Sequence, residues 1–372
     1  MPLSVAKVGL EAQIRSAFDE TSEALYLNSG YVYSSAQEAA DAFAGDKDRY
    51  VYSRYGNPTL SMLETRLAAL EGAEACRVCA TGMSAIFSAL ACQLQAGDRI
   101  VASRALFGAC YAIVTKILPR WGVQCTLVNG HDLAEWQAAL SSPANIVFLE
   151  SPSNPLLDLV DIAAVATLAH AAGAKLVVDN VFATPIYQSP LSLGADIVTY
   201  STTKHIDGQG RMLGGAVLGS AAFIEEVFLP FYRQTGAAMS PFNAWVALKS
   251  LETLHLRVDA QTANSHYIAN RLAEDSRISC LRYPGHPSHP QYALAKRQMS
   301  DFSSLMAFEL EGGKQAAFAF LDSLSLIDIS NNLGDSKSLA CHPASTTHAN
   351  LSQDERDALA LSDGFIRLSV GL

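Results

Sequence analysis

The sequence contains no basic tract, no long apolar run and no cysteine framework, and each absence narrows the field. Lys and Arg number 26 against 36 Asp and Glu, giving a net charge of −10 and a pI of about 5.4. With no interleaving of basic and aromatic residues, nucleic acid is not an expected partner. No apolar run approaches the ~20 residues that cross a bilayer. The opening "MPLSVAKVGLEAQIRSAF" lacks the apolar centre of a secretory signal. Seven scattered cysteines read as free thiols in a reducing compartment, so a cytoplasmic protein with no membrane association is expected. Cys76 and Cys79 in "CRVC" have metal or redox spacing. No second pair or matching histidines follow, so no metal is expected and both read as small apolar residues on a buried strand. Internal repeats and low-complexity tracts are missing too. Neither the P-loop pattern nor GxGxxG is matched, since "GQGRMLGG" puts Leu213 where the third glycine is required.

What is present is a large apolar fraction, 49% of 372 residues against 17% charged, enough for sizeable cores in more than one domain. The pattern divides into an arm over 1–50, a large domain over 51–242 and a smaller one over 243–372. From about 57 to 220, short apolar strands alternate with helices. "NPTLSMLETRLAALEGAEA" has helix spacing with Pro58 in the first turn. Strand 75–79 meets "ATGMSAIFSALACQL", whose Thr-Gly-Met opening marks a helix start. Strands "DRIVAS", "QCTLVN", "NIVFLES", "AKLVVDN", "ADIVTYS" and "RMLGGAVLG" follow, with helix "ACYAIVTKIL" among the intervening segments. Such strands predict an α/β fold with a mainly parallel sheet between helices. One long helix is expected over 241–275, then a smaller α+β part with strands at "SSLMAFELE", "LIDISN" and "FIRLSVGL".

In an open α/β sheet, ligands lie at the carboxyl ends of the strands. That rule selects Thr81-Gly82-Met83, Ser151 to Pro155, Asp179-Asn180 and Ser201 to Lys204. Gly82 lets backbone approach an anion at a helix N-terminus. Ser201 and Thr203, alternating on an extended segment, would point their hydroxyls the same way. Asp179 can pair with a cationic heteroaromatic nitrogen, and Lys204 can form an imine with an aldehyde. A strand-terminal aspartate is often only a cap, and a lysine after a strand is usually solvated. In this order, the three describe a pyridoxal phosphate site.

The stretches "VYSRYGNPT", "ATGMSA", "ESPSNP", "VVDNVFATP", "STTKHIDGQGR", "SNNLGDSKSLACHPASTTH" and "IRLSVGL" resemble the Cys/Met-metabolism family of pyridoxal phosphate enzymes, of fold type I. They run from residue 51 to 372. The resemblance implies that Lys204 anchors the cofactor and then shuttles protons, and that Asp179 keeps the pyridine nitrogen protonated. It implies phosphate binding by Gly82, Met83, Ser201 and Thr203, with Tyr52 and Arg54 completing the cup from a neighbouring subunit. A homo-oligomer follows, in this family generally a tetramer built from two dimers that share active sites. Asn154 would contact the phenolic oxygen of the cofactor, and Arg367 would clamp the substrate α-carboxylate.

Several positions depart from the family pattern. Phe107 in "LFGAC" stands where the lyases mostly stack a tyrosine; its ring still stacks but has no phenol. Tyr111, one helical turn on, reads as a core aromatic. Asn332 replaces a common serine ahead of Leu-Gly-Asp and can bind the α-carboxylate through its amide. His205 replaces a common tyrosine and receives no role. In "KHIDGQGR" and "NNLGD" the chain resembles the branch that replaces the succinate on Cγ of O-succinylhomoserine with sulfide, giving homocysteine for methionine biosynthesis. Cysteine as donor, an acetyl ester, and γ-elimination are the alternatives. Arg49 and Arg104 are basic candidates for the distal carboxylate of a succinyl group, without an assigned role.

Overall fold

A computed structural model of the chain describes residues 13–372. Helix Pro58–Glu71 starts where expected: the Asn57 side chain accepts from the Thr59 amide, and Pro58 occupies a first-turn position that needs no N–H partner. Thr81 caps helix Gly82–Ala91 by a reciprocal capping box with Ser84. That fixes the turn between the first strand and the glycine of "ATGMSA".

Seven strands form one sheet: β1 (Ala75–Cys79), β2 (Arg99–Ser103), β3 (Gln124–Val128), β4 (Ile146–Glu150), β5 (Lys175–Asp179), β6 (Ile197–Tyr200) and β7 (Gly215–Gly219), in the order β1-β7-β6-β5-β4-β2-β3. Only β7 runs against its neighbours; β2 to β6 pair in parallel. All strands but β7 therefore end on one edge. Alternate strand residues serve two cores. Val147, Leu149 and Val178 pack with Leu63, Leu67 and Leu248, whereas Ile146, Phe148 and Val177 pack with Ile86, Leu90 and Phe228. Burying each such side chain contributes ~1.5–3 kcal/mol, so the strand edge is carried on a rigid double-faced layer. Cys76 and Cys79 lie buried on β1, as expected.

A second sheet holds β8 (Ile278–Arg282), β9 (Leu305–Leu310), β10 (Asp328–Ile329), β11 (Leu339–Cys341) and β12 (Phe365–Ser369), in the order β10-β11-β12-β9-β8. Ala269, Ala317 and Leu321 from two helices pack on its Met306, Phe308 and Ile366. The fold is α/β with a mostly parallel central sheet plus this smaller sheet.

Four local readings change. The expected helix over 241–275 is two helices, Pro241–Leu251 and Leu254–Ala273. The first, which the boundary at 242/243 cuts, buries Ala244, Ala247, Leu248 and Leu251 in the core of the large sheet. "RMLGGAVLG" is strand only from Gly215, because Gly214 turns to meet Thr203. "ACYAIVTKIL" begins as helix Gly108–Ala112 and then widens into a π-helical turn at Ile113–Ile117. Strands β8 and β11, short or half-exposed, had no clear period. Residues 1–12 of the expected arm lie outside the described residues. Among the described residues no helix is long and apolar enough to cross a membrane.

Candidate active site

The shared strand edge opens into a cleft of about 220 Å³ lined by Gly82, Met83, Phe107, Asn154, Asp179, Ser201, Thr203, Lys204 and Arg367, among others. Nine of the predicted site residues thus converge from sequence positions 82 to 367. Residues 202–207 form a turn rather than the expected extended segment. The Lys204 amide donates to the Ser201 carbonyl at 3.2 Å, and the Gly208 amide donates to the Lys204 carbonyl at 2.7 Å. Ser201 and Thr203 still both face the cleft, because Thr203 Oγ1 is pinned by the Gly214 amide at 2.9 Å.

Lys204 is largely buried, and its Nζ donates to Asn332 Oδ1 at 2.7 Å. Burial, and secondarily the charge of Arg367, push the amine down to about 8. Loss of solvent disfavours the ammonium form, so the neutral amine is reached far more readily than on an exposed lysine. Asp179 ends β5 at 5% exposure, and its Oδ1 accepts from the Val181 amide at 3.0 Å. Burial raises this carboxyl above the ordinary carboxylate range. A cation brought beside it would reverse that cost.

Arg367 lies at the centre of β12 with 1% exposure. Its guanidinium donates to Asn154 Oδ1 at 3.0 Å, to the Asn331 carbonyl at 2.9 Å and to the Asn332 carbonyl at 3.2 Å. These are neutral acceptors, and among the described residues no carboxylate pairs with it. A buried, preoriented guanidinium of this kind suits a carboxylate ligand. Asn154 therefore holds Arg367 as well as facing the cleft.

Tyr52 and Arg54 are not in this cleft. They border a separate depression with Leu27, Ala238 and Met239, where Arg54 Nη1 donates to the Arg233 carbonyl. Arg49 pairs with Glu38 at 2.8 Å. Tyr111 packs only partly against the core and donates its hydroxyl to Glu355 at 2.8 Å, so it is a bridging residue rather than the expected core aromatic.

Sequence reading missed three residues that build the site. Glu150, at the end of β4 and beside Asp179, accepts from the Phe107 amide and the Asn154 amide, each at 2.8 Å. Burial, and then the neighbouring Asp179, raise its carboxyl well above the ordinary range. Arg257, only 5% exposed, donates to the carbonyls of His205 at 2.8 Å and Ile206 at 3.1 Å, clamping the turn that follows Lys204. His205 meets Ser304 Oγ at 2.8 Å and fills the space over Gly334, where a Cβ would come within 2.6 Å of its amide. The only sequence signal was the position of Glu150 at a strand end.

The family model for Cys/Met metabolism PLP-dependent enzymes matches residues 5–372. The chain belongs to that family. It is 55% identical to an O-succinylhomoserine sulfhydrylase of Mycobacterium tuberculosis over 100% of this chain and 92% of that protein. Identity to an O-succinylhomoserine sulfhydrylase of Pseudomonas aeruginosa is 46%, over 97% of this chain and 89% of the relative. Among solved structures, a putative O-acetylhomoserine (thiol)-lyase of Campylobacter jejuni, with an N'-pyridoxyl-lysine-5'-monophosphate residue, superposes with a TM-score of 0.95. It is 29% identical and covers 100% of this chain and 96% of that one.

Pyridoxal phosphate is the cofactor of this family, and the cleft fits it on its own chemistry. An added Cβ on Gly82 would lie 2.7 Å from Ser201 Cβ and 2.8 Å from its Oγ, so only glycine lets the helix N-terminus reach the hydroxyl-lined end. A depressed lysine and a buried carboxyl face the same space, as an aldehyde-bearing cationic ring requires.

Proposed function

We propose that the chain catalyses γ-replacement on O-succinylhomoserine with sulfide, releasing homocysteine and succinate. The observation that carries this reading is the 55% identity to an O-succinylhomoserine sulfhydrylase along the whole chain. The cleft geometry supports it.

When bound, pyridoxal phosphate supplies an electron sink for negative charge developing on the substrate. Lys204 would hold the cofactor covalently through its Nζ. Asn332 Oδ1, its partner at 2.7 Å, would orient that nitrogen for proton transfer. The neutral amine takes the proton from Cα and moves protons at Cβ, while succinate leaves Cγ and sulfide adds there. Asp179 would face the ring nitrogen, whose positive charge offsets the burial of the carboxylate. Gly82 and Met83 amides, with Ser201 and Thr203 hydroxyls, would hold the phosphate. Arg367 would bind the α-carboxylate, assisted by the Asn332 side chain. Asn154 orients Arg367 and would reach the phenolic oxygen. Phe107 would stack on the ring, with no phenol to move a proton.

Tyr52 and Arg54, which border the depression beside Leu27 and not this cleft, would complete the phosphate site of a neighbouring copy. On this reading the working unit is a dimer or above, with a tetramer as the expected form and the cytoplasm as its compartment.

The deciding experiment incubates cofactor-loaded protein with O-succinyl- or O-acetylhomoserine, each with sulfide, cysteine or neither, and identifies the products by mass. Homocysteine formed preferentially from the succinyl ester and sulfide is the expected result. Cystathionine as the main product, or 2-oxobutanoate alone, overturns the reading.

A further inference from the structure

Beside the active cleft, across the Glu150 wall, lies a second cavity of about 350 Å³. Its floor is the carboxyl edge of β2, β3 and β4, and Arg282, Gln291 and Leu359 close it from the opposite side. Its size is within the ~300–1,000 Å³ of small-molecule sites.

The lining carries opposite charges that do not close on each other. Among the described residues, the Arg282 guanidinium makes no hydrogen bond or ion pair, and its Nε is buried without a partner. Across the same space, the Asp158 carboxylate has no hydrogen-bonding or ion-pair partner among the described residues. Burial raises that carboxyl, and the charges of Arg282 and His131 draw it back without contact. Arg104 adds a second guanidinium, 3.9 Å from Glu135. The rest of the lining is mixed: Ser103, Asn129, Ser153 and Gln291 are polar, while Leu159 and Leu359 give it an apolar side.

Asp158 and Arg282 are each half-buried, and a charge withdrawn from water gains from a partner. Two such charges of opposite sign, facing one cavity and held apart, match a ligand that carries both signs. A carboxylate meets the planar fork of Arg282, an ammonium meets Asp158, and a short apolar chain rests on the leucines. We propose that this cavity is a second ligand site, separate from the reacting cleft, that takes a zwitterionic α-amino acid with a short unbranched side chain.

The site is wired to the active cleft. The Asp158 carbonyl accepts from the Ser153 amide at 2.9 Å, next to Asn154, and Glu150 lines both cavities. Occupancy of the outer cavity therefore loads the loop that orients Asn154 and Arg367.

The test is equilibrium dialysis of labelled L-norleucine, which has no leaving group at Cγ, against the cofactor-loaded enzyme, with the cofactor absorption recorded in parallel. An amino acid in the active cleft perturbs that absorption; one in the outer cavity leaves it unchanged. Two equivalents per chain are expected, one of them silent. Arg282→Met and Asp158→Asn should each weaken the silent equivalent at least tenfold while the absorption response stays as in the parent. Should Arg282→Met fail to fold, the isosteric Asp158→Asn alone decides. N-acetyl-L-norleucine, lacking the ammonium, should not displace the silent equivalent. A single equivalent fully reported by absorption, or a silent one that survives both substitutions, overturns the proposal.

Discussion

Lys204 Nζ donates to Asn332 Oδ1 at 2.7 Å across 128 residues of chain. An amide oxygen accepts from an amine or an ammonium alike, so the contact orients the nitrogen without fixing its charge. Charge is set instead by burial and by Arg367, which together bring the amine down to about 8. Only the neutral form attacks an aldehyde. Capture of pyridoxal phosphate by the cofactor-free protein should therefore accelerate about tenfold per pH unit up to about 8 and flatten above it. Stopped-flow absorbance across that range reads the profile. A rate still climbing toward the ordinary lysine value of about 10.4 contradicts the assignment.

Asp179 tests the opposite sign. Burial raises its carboxyl, so the charged form is unfavourable until a cation faces it. Asp179→Asn keeps the shape and removes the charge. The cofactor-free variant should melt no lower than the parent, since a desolvation cost has gone. Turnover should fall about 10²–10³-fold, the usual scale for losing one preorganised electrostatic partner. Melting curves and initial rates separate the two effects, and unchanged turnover rules out the role.

The glycine of "KHIDGQGR" that matters most is Gly208. Its φ is +66°, and an added Cβ would lie 1.8 Å from Arg257 Nη1. A left-handed non-glycine residue costs ~1–2 kcal/mol by itself, before Arg257 is displaced from the His205 and Ile206 carbonyls. Gly208→Ala should lower the melting temperature by several degrees and loosen the turn behind Lys204. Dialysis should then strip the cofactor from the variant faster than from the parent. Retention at the parent level means that the clamp does not position the lysine.

That clamp also shows where sequence reading reaches its limit. Lys204, Asp179 and Gly82 were legible because each stands at the end of an apolar strand, where chain order and the strand-edge rule suffice. The parallel sheet was legible for the same reason: β4 and β5 are apolar on both faces, a pattern that half-exposed β8 does not share. Arg257 escaped notice because the groups it clamps behind Lys204 are the His205 and Ile206 carbonyls, which carry no residue signature. Glu150 escaped because its role is to receive the Phe107 and Asn154 amides, and only the fold brings those together. The break at Glu252–Thr253 was hidden because both helices keep apolar spacing through it.

Phe107 is the residue through which replacement and elimination can be told apart. Its amide donates to Glu150 at 2.8 Å, and its ring lines the cleft, so the backbone position does not depend on the side chain. Phe107→Tyr would add a hydroxyl able to donate a hydrogen bond or carry a proton, while the amide bond to Glu150 is kept. Melting temperature and cofactor retention should match the parent. With O-succinylhomoserine and sulfide, the ratio of 2-oxobutanoate to homocysteine should rise roughly a hundredfold, the low end of what a positioned acid or base contributes. Product masses give that ratio directly. A ratio that stays at the parent value would show that the missing phenol does not hold this cleft to replacement, and that the choice is made at the sulfide-binding side instead.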